Sequence, residues 1–297
     1  MTGSLPLPPS AIAPFPEAGH DEPAREIAPD LAYRRLALVN VVFCGPRGAG
    51  DRNWVLVDAG LAGTAGLIRR AAAARFGQQA RPAAILMTHG HFDHVGALQE
   101  LAAEWDAPVY AHPLELPYLR GEAAYPPGDS WVGGGAMAAL GRLYPRGPVD
   151  VGPRLQPLPE DGRVPGMPGW RWLHTPGHSA GHVAFWREAD ATLIAGDAFV
   201  TTQQESAYSV AVQKAELHGP PAYFTTDWVA AGASVRRLAA LEPELVVTGH
   251  GQAMHGPEML AALHELAEQF EEIAVPQRGR YRRHPARAAD GSAYRAP

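Results

Sequence analysis

The sequence predicts an α/β protein built from two halves of like design, and three observations carry that prediction. Short apolar runs alternate along the chain with segments of helical period instead of being gathered into blocks. Each half repeats one order: strand, helix, strand, polar turn. The residues able to do chemistry fall in turns at the carboxyl ends of strands, where α/β proteins place their sites.

With 297 residues, 46% of them hydrophobic and 19% charged, the chain can bury a full core as one large domain or two small ones. No run approaches the roughly 20 consecutive apolar residues of a membrane helix. The opening "MTGSLPLPPSAIAPFPEAGHDEP" has neither a basic n-region nor an uninterrupted apolar run, so no secretory signal is read and a cytoplasmic location is expected. One cysteine, Cys44, excludes an internal disulfide and a Cys-rich zinc knuckle. Any metal must then be held by nitrogen and oxygen.

Residues 1–30 are proline-rich and lack periodicity, which predicts an arm on the surface of the domain that follows, 31–275. Residues 33–43 and 53–60 are rich in Val and Leu and read as strands, the second closed by glycine. Residues 65–76 are helical, and "AAILMT" (83–88) is a short buried strand. After "HGHFDH", Val95, Leu98, Leu101 and Trp105 fall at helical spacing. The second half follows suit with a strand at 191–199, a helix at 227–241 and the strand "ELVVTGHG" (244–251). Leu263, Leu266, Phe270 and Ile273 stripe a last helix at 256–273. Residues 113–169, rich in Pro and Gly yet carrying Tyr118, Tyr125, Trp131 and Tyr144, read as an insert: a lid or wall beside the site, or a loop packing its own cluster. The tail 276–297 sets six arginines against Asp290 alone, about +5 on a chain of net charge −6, and is expected to be solvated and partly disordered.

Residues 88–98 read "THGHFDHVGAL". A lone histidine is ordinarily just a polar residue, but His89, His91, Asp93 and His94 put four ligand types into six positions directly after a buried strand. Such a turn can aim His89 and His91 one way and Asp93 and His94 another, supplying two adjacent ions of the zinc type, which bind imidazole nitrogen and carboxylate oxygen. Two ions need more ligands. "HTPGHSAGH" (174–182), "AGD" ending at Asp197 and "TGH" ending at His250 offer them, each at a strand end and each beside a glycine suited to a sharp turn.

Taken in order, "VLVDAG", "THGHFDH", "TPGHS", "AGD" and "TGHG" resemble the motifs of the metallo-β-lactamase-fold hydrolase superfamily from about residue 33 to 273. The resemblance implies an αβ/βα four-layer sandwich with metals at one edge of two facing sheets. It implies His89, His91 and His178 on one ion, Asp93, His94 and His250 on a second, Asp197 bridging both, and Asp58 orienting a ligand without binding metal. Two divalent cations are implied, Zn2+ foremost, with Mn2+ or Fe as alternatives. A hydroxide shared between them and held by Asp93 would attack a carbonyl, one ion polarising that carbonyl and the other steadying the leaving group.

The commonest dizinc β-lactamases use Cys where this chain has Asp197, which disfavours antibiotic hydrolysis. No flavodoxin-like domain and no basic insertion is read in these residues, so neither a flavodiiron enzyme nor a nuclease is expected. "TPGHSAGHVAF" is similar to glyoxalase II thioesterases and acyl-homoserine lactone lactonases. The expected function is therefore hydrolysis of an ester, lactone or thioester of a small organic substrate. Two alternatives stand beside it: a mononuclear iron enzyme of the persulfide dioxygenase kind, and a non-catalytic ligand-binding member of the fold. The partner expected is a small molecule, with neither nucleic acid nor membrane, and a homodimer is left open. Among other polar residues, His174 and His182 are expected to support the structure and His112 to cap a helix or lie at the surface. His255 and His264 should face solvent, and Phe199, Tyr208, His218 and Tyr223 are candidate pocket residues.

Overall fold

The computed structural model describes residues 3–13, 24–133 and 135–297. Two sheets face each other. One has seven strands in the order Arg25–Ala28, Leu31–Leu36, Val39–Cys44, Val55–Val57, Ala84–Leu86, Val109–Ala111, Leu155–Pro157. The other has five: Met254–His255, Leu245–Thr248, Thr192–Gly196, Val183–Arg187 and Trp170–His174.

Side chains on a strand alternate between faces, and here the alternation separates two kinds of core. Val42, Cys44, Val55, Val57 and Leu86 meet Val183, Phe185, Ile194 and Val247 between the sheets. Their neighbours Val41, Phe43, Leu56 and Ile85 turn outward onto the helices Ala65–Phe76 and Leu98–Trp105. Ala184, Trp186, Leu193 and Val246 turn outward onto Trp228–Ala239 and Gly256–Glu268. The result is helix, sheet, sheet, helix: the αβ/βα sandwich.

The two predicted half-units are both present. Val55–Val57 pairs in parallel with Ala84–Leu86, the helix Ala65–Phe76 making the crossover. Thr192–Gly196 pairs in parallel with Leu245–Thr248, the helix Trp228–Ala239 making the other. Ala65–Phe76 keeps Ile68, Ala71, Ala72, Arg75 and Phe76 buried at helical spacing and stops at Gly77, whose φ of 119° a side-chain-bearing residue rarely adopts. Asp227 caps Trp228–Ala239 by accepting a hydrogen bond from the Ala230 N–H at 3.1 Å.

Three expectations change. Residues 33–43 are not one strand: Leu31–Leu36 and Val39–Cys44 form an antiparallel hairpin whose turn holds Ala37 at φ 59°, a conformation that alanine does not announce. Of the stretch expected as an arm, residues 1, 2 and 14–23 lie outside the described residues, but Arg25–Ala28 is the edge strand of the larger sheet and Ala11 and Ala13 are buried. The tail is not disordered: it packs against the insert while its arginines stay exposed. Tyr281, Ala286 and Ala293 are buried, Arg295 and Ala124 exchange backbone hydrogen bonds at 2.9 Å, and the Tyr118 hydroxyl donates to the Ala293 carbonyl at 2.8 Å. The apolar surface offered by the insert outweighs the solvation of a chain segment whose arginines still reach water. No helix among the described residues is long and apolar enough to cross a membrane.

Candidate metal centre

The site forms where the carboxyl ends of the two parallel strand pairs meet. Thr88 follows Ala84–Leu86 and accepts the Val183 N–H at its carbonyl (2.9 Å), tying the first sheet to the second. Asn40 makes a further tie, its side-chain amide donating to the carbonyls of Thr248 (2.9 Å) and Gly251 (2.8 Å). These links hold four turns together: 88–94, 174–182, 196–198 and 248–251.

All seven expected ligands converge there, each at most 4% exposed. The donor atoms of His89, His91 and His178 lie within 4.8 Å of one another, as do those of Asp93, His94 and His250, and those of His89, His94 and Asp197. His91 Nδ1 is 2.9 Å from His178 Nε2. Asp197 Oδ2 faces both sets, 3.1 Å from His250 Nε2 and 3.5 Å from the Nε2 atoms of His94 and His178. Nε2 of His89, Nε2 of His94 and Oδ1 of Asp197 are buried with no hydrogen-bond partner, a condition polar groups rarely tolerate unless something else occupies them. This donor set fits a pair of cations.

Glycine is required for so tight an approach. A Cβ at Gly249 would stand 2.0 Å from Asp197 Oδ1, and one at Gly196 2.6 Å from His182 Nε2.

Behind the ligands, other groups fix which ring nitrogen faces inward. Asp58 Oδ2 accepts from His94 Nδ1 (2.8 Å) and from the Thr88 hydroxyl (2.8 Å), while its Oδ1 accepts the Thr88 N–H at 2.9 Å. His94 Nε2 is left for the centre. His250 Nδ1 donates to the Leu38 carbonyl, and His178 Nδ1 sits 3.2 Å from the Thr225 hydroxyl. His182 offers no donor atom to the centre: its Nε2 accepts the Asp197 backbone N–H at 2.9 Å and its Nδ1 meets Thr175, so it supports the structure as expected. His112 caps a short helix by accepting from the Leu114 N–H and stacks on His174.

The electrostatics split the site. Burial, reinforced by neighbouring imidazoles, drives His89 and His178 well below the usual histidine range and His91 down to about 3. Those three are neutral lone-pair donors. Burial also opposes charge on His94, but Asp197 and Asp58 outweigh it and raise that ring well above the usual value. Burial pushes the Asp197 carboxyl up, yet His250 and His94 overcome that and hold it well below the ordinary carboxylate range. A cation entering the second set would take the place of protons.

The family model for the metallo-beta-lactamase superfamily matches residues 36–250. The chain belongs to that superfamily. Within it, the chain is 46% identical over 221 residues to the "Probable metallo-hydrolase YflN" of Bacillus subtilis (strain 168), which spans 74% of this chain and 84% of the relative. It is 31% identical over 115 residues to a hydroxyacylglutathione hydrolase of Bdellovibrio bacteriovorus, 39% of this chain and 34% of that one. Among solved structures, a beta-lactamase domain protein from Burkholderia ambifaria shares the fold with a TM-score of 0.60 at 22% identity, covering 89% of this chain and 78% of the other.

The expected pocket residues separate in this superfamily member. Tyr223 and Phe199 are buried, and Tyr223 feels the charge of Asp93. His218 is buried with Nδ1 donating to the Gly219 carbonyl at 3.0 Å, whereas Tyr208 lies 72% exposed at the surface. His264 is half-exposed and pairs with Glu242, and Cys44 is a buried core thiol raised by burial and remote from ligand duty. Thr88, Glu115, Tyr125 and Phe224 flank the candidate ligands. Thr88 stands in "THGHFDH" and Tyr125 among the aromatic residues of the insert, but nothing in the sequence singled out Glu115 or Phe224.

Proposed function

We propose that the chain is a dinuclear metal-dependent hydrolase cleaving an ester, thioester or lactone of a small organic substrate. What carries the reading is the convergence of seven donors from four turns, with buried, partnerless nitrogen and oxygen atoms aimed at one point. His89, His91 and His178 would hold one cation, Asp93, His94 and His250 the other, and Asp197 would touch both. Divalent cations, Zn2+ before Mn2+ or Fe, supply Lewis-acid polarisation and a water acidified to near neutral pH.

The chain's own side chains set up that chemistry. Asp58 retains the His94 Nδ1 proton, so Nε2 keeps its lone pair. Asp93 Oδ2, 3.5 Å from His250 Nε2, is placed to hold the reacting water and receive its proton. Burial of every donor keeps bulk water from competing.

The relative named as a hydroxyacylglutathione hydrolase supports acyl transfer to water. A mononuclear iron enzyme would need only a subset of these donors, and a non-catalytic member is usually marked by lost ligands; the complete set favours neither. Metal analysis of protein purified without chelator should find about two ions per chain, and a panel of esters, thioesters and lactones should yield turnover. That turnover should vanish, with the metal, in His178→Ala and Asp197→Ala. One iron per chain with oxygen uptake on a persulfide would overturn the hydrolase reading.

A further inference from the structure

Glu115 lies in the insert and is 0% exposed. Both of its oxygens are filled by donors from the turns that carry the ligands. Oε1 accepts the Ser179 hydroxyl at 2.8 Å and the Gly181 N–H at 2.9 Å, both directly after His178 in the same turn. Oε2 accepts the Gly90 N–H at 3.0 Å, the residue between His89 and His91, and the Tyr125 hydroxyl. Tyr125 closes the arrangement: its oxygen also meets the Gly90 N–H at 2.8 Å, and its ring lies on His91 with centroids 4.4 Å apart. Tyr118 stacks behind it at 3.7 Å.

Two glycines give independent support. Neither Gly90 nor Gly181 has a positive φ, so backbone conformation does not demand glycine at either place. Contact does: a Cβ on Gly181 would lie 2.8 Å from Glu115 Cγ, and one on Gly90 2.7 Å from the Tyr125 oxygen. Each of the two turns approaches the Glu115–Tyr125 pair too closely for any side chain.

We infer that Glu115 is a positioning residue which, with Tyr125, staples the His89–His91 turn to the His178 turn and sets the separation of the ligands for one of the two cations. The inference rests on the ligand assignment proposed above and is indifferent to what is hydrolysed. The staple requires a carboxylate, because four donors converge on two oxygens. In Glu115→Gln the amide nitrogen must face at least one donor. The Tyr125 and Ser179 hydroxyls can rotate to accept, but a backbone N–H cannot. Among the described residues no hydrogen bond, ion pair or ring contact joins Asp93 or His250 to Glu115 or Tyr125, so the set to which they belong provides an internal control.

The test is titration of the metal-free full chain with Zn2+ against a chromophoric chelator, together with the visible spectrum of the Co2+-loaded protein. In Glu115→Gln one of the two sites should weaken by about 10- to 100-fold, with a changed Co2+ spectrum, while the other site keeps the affinity it has in the unaltered chain. A residue that merely stabilised the fold would move both sites or neither. Tyr125→Phe removes one donor and should shift the same site in the same direction by less, which keeps the inference testable if the Glu115 variant does not fold. Two sites of unchanged affinity and an unchanged spectrum in either folded variant would overturn the staple, as would equal weakening of both sites. An unaltered chain that binds no Zn2+ would instead overturn the ligand assignment.

Discussion

Asp58 offers the sharpest separation of metal binding from folding. It is 3% exposed, sits at φ 60°, and accepts three hydrogen bonds: from His94 Nδ1, the Thr88 hydroxyl and the Thr88 N–H. Asp58→Asn keeps the shape, tolerates the left-handed backbone and retains an oxygen for the Thr88 N–H. The amide nitrogen, however, faces His94. To avoid donor against donor, His94 must shift its proton from Nδ1 to Nε2, the atom proposed to hold a cation. Loss of such an orienting partner costs about 10- to 100-fold in metal affinity, or about 1.4 to 2.7 kcal/mol. Asp58→Ala does more damage. It leaves the buried Thr88 N–H unpaired at about 1–3 kcal/mol, the Thr88 hydroxyl keeping only His89 Nδ1 at 3.0 Å, and puts alanine in a left-handed conformation at about 1–2 kcal/mol more. The assay is Zn2+ affinity by chelator competition alongside thermal melting of the metal-free protein. The Asn variant should melt close to the unaltered chain yet bind Zn2+ less tightly, and the Ala variant should lose on both counts. An Asn variant that holds Zn2+ as tightly as the unaltered chain would refute the claim that Asp58 fixes the His94 tautomer.

Gly249→Ala should empty the centre while leaving the helices folded, since its Cβ would stand 2.0 Å from Asp197 Oδ1 and 2.9 Å from His94 Cε1; metal content and far-UV circular dichroism read the two effects apart. His264→Ala removes a pairing to Glu242 at 2.8 Å between half-exposed groups, so stability should change by no more than about 1 kcal/mol and metal content not at all. A drop in bound metal there would mean that the centre extends further than drawn.

The proposed ligands were legible because each sits in a short motif at a strand end. His89, His91, Asp93 and His94 share one turn, and the other three follow runs whose apolar character marks them as strands. The helices Ala65–Phe76 and Trp228–Ala239 were legible for a related reason: their buried residues repeat at helical spacing, a property of the sequence and the helix alone. The hairpin at Ala37 was not, because nothing in an alanine signals a positive φ; the pairing of Leu31–Leu36 with Val39–Cys44 imposes it.

Local pattern thus determined the candidate metal donors, the two half-units and the faces that become buried, since each follows from neighbours within a few residues. Only the tertiary structure decided which nitrogen each histidine presents, that His182 serves Asp197, and that Glu115 gathers donors from turns 25 and 64–66 residues distant. It also decided that the arginine-rich tail lies against the insert. A hydrogen bond between distant residues depends on where two sheets bring their ends together, and no spacing along the chain encodes that position.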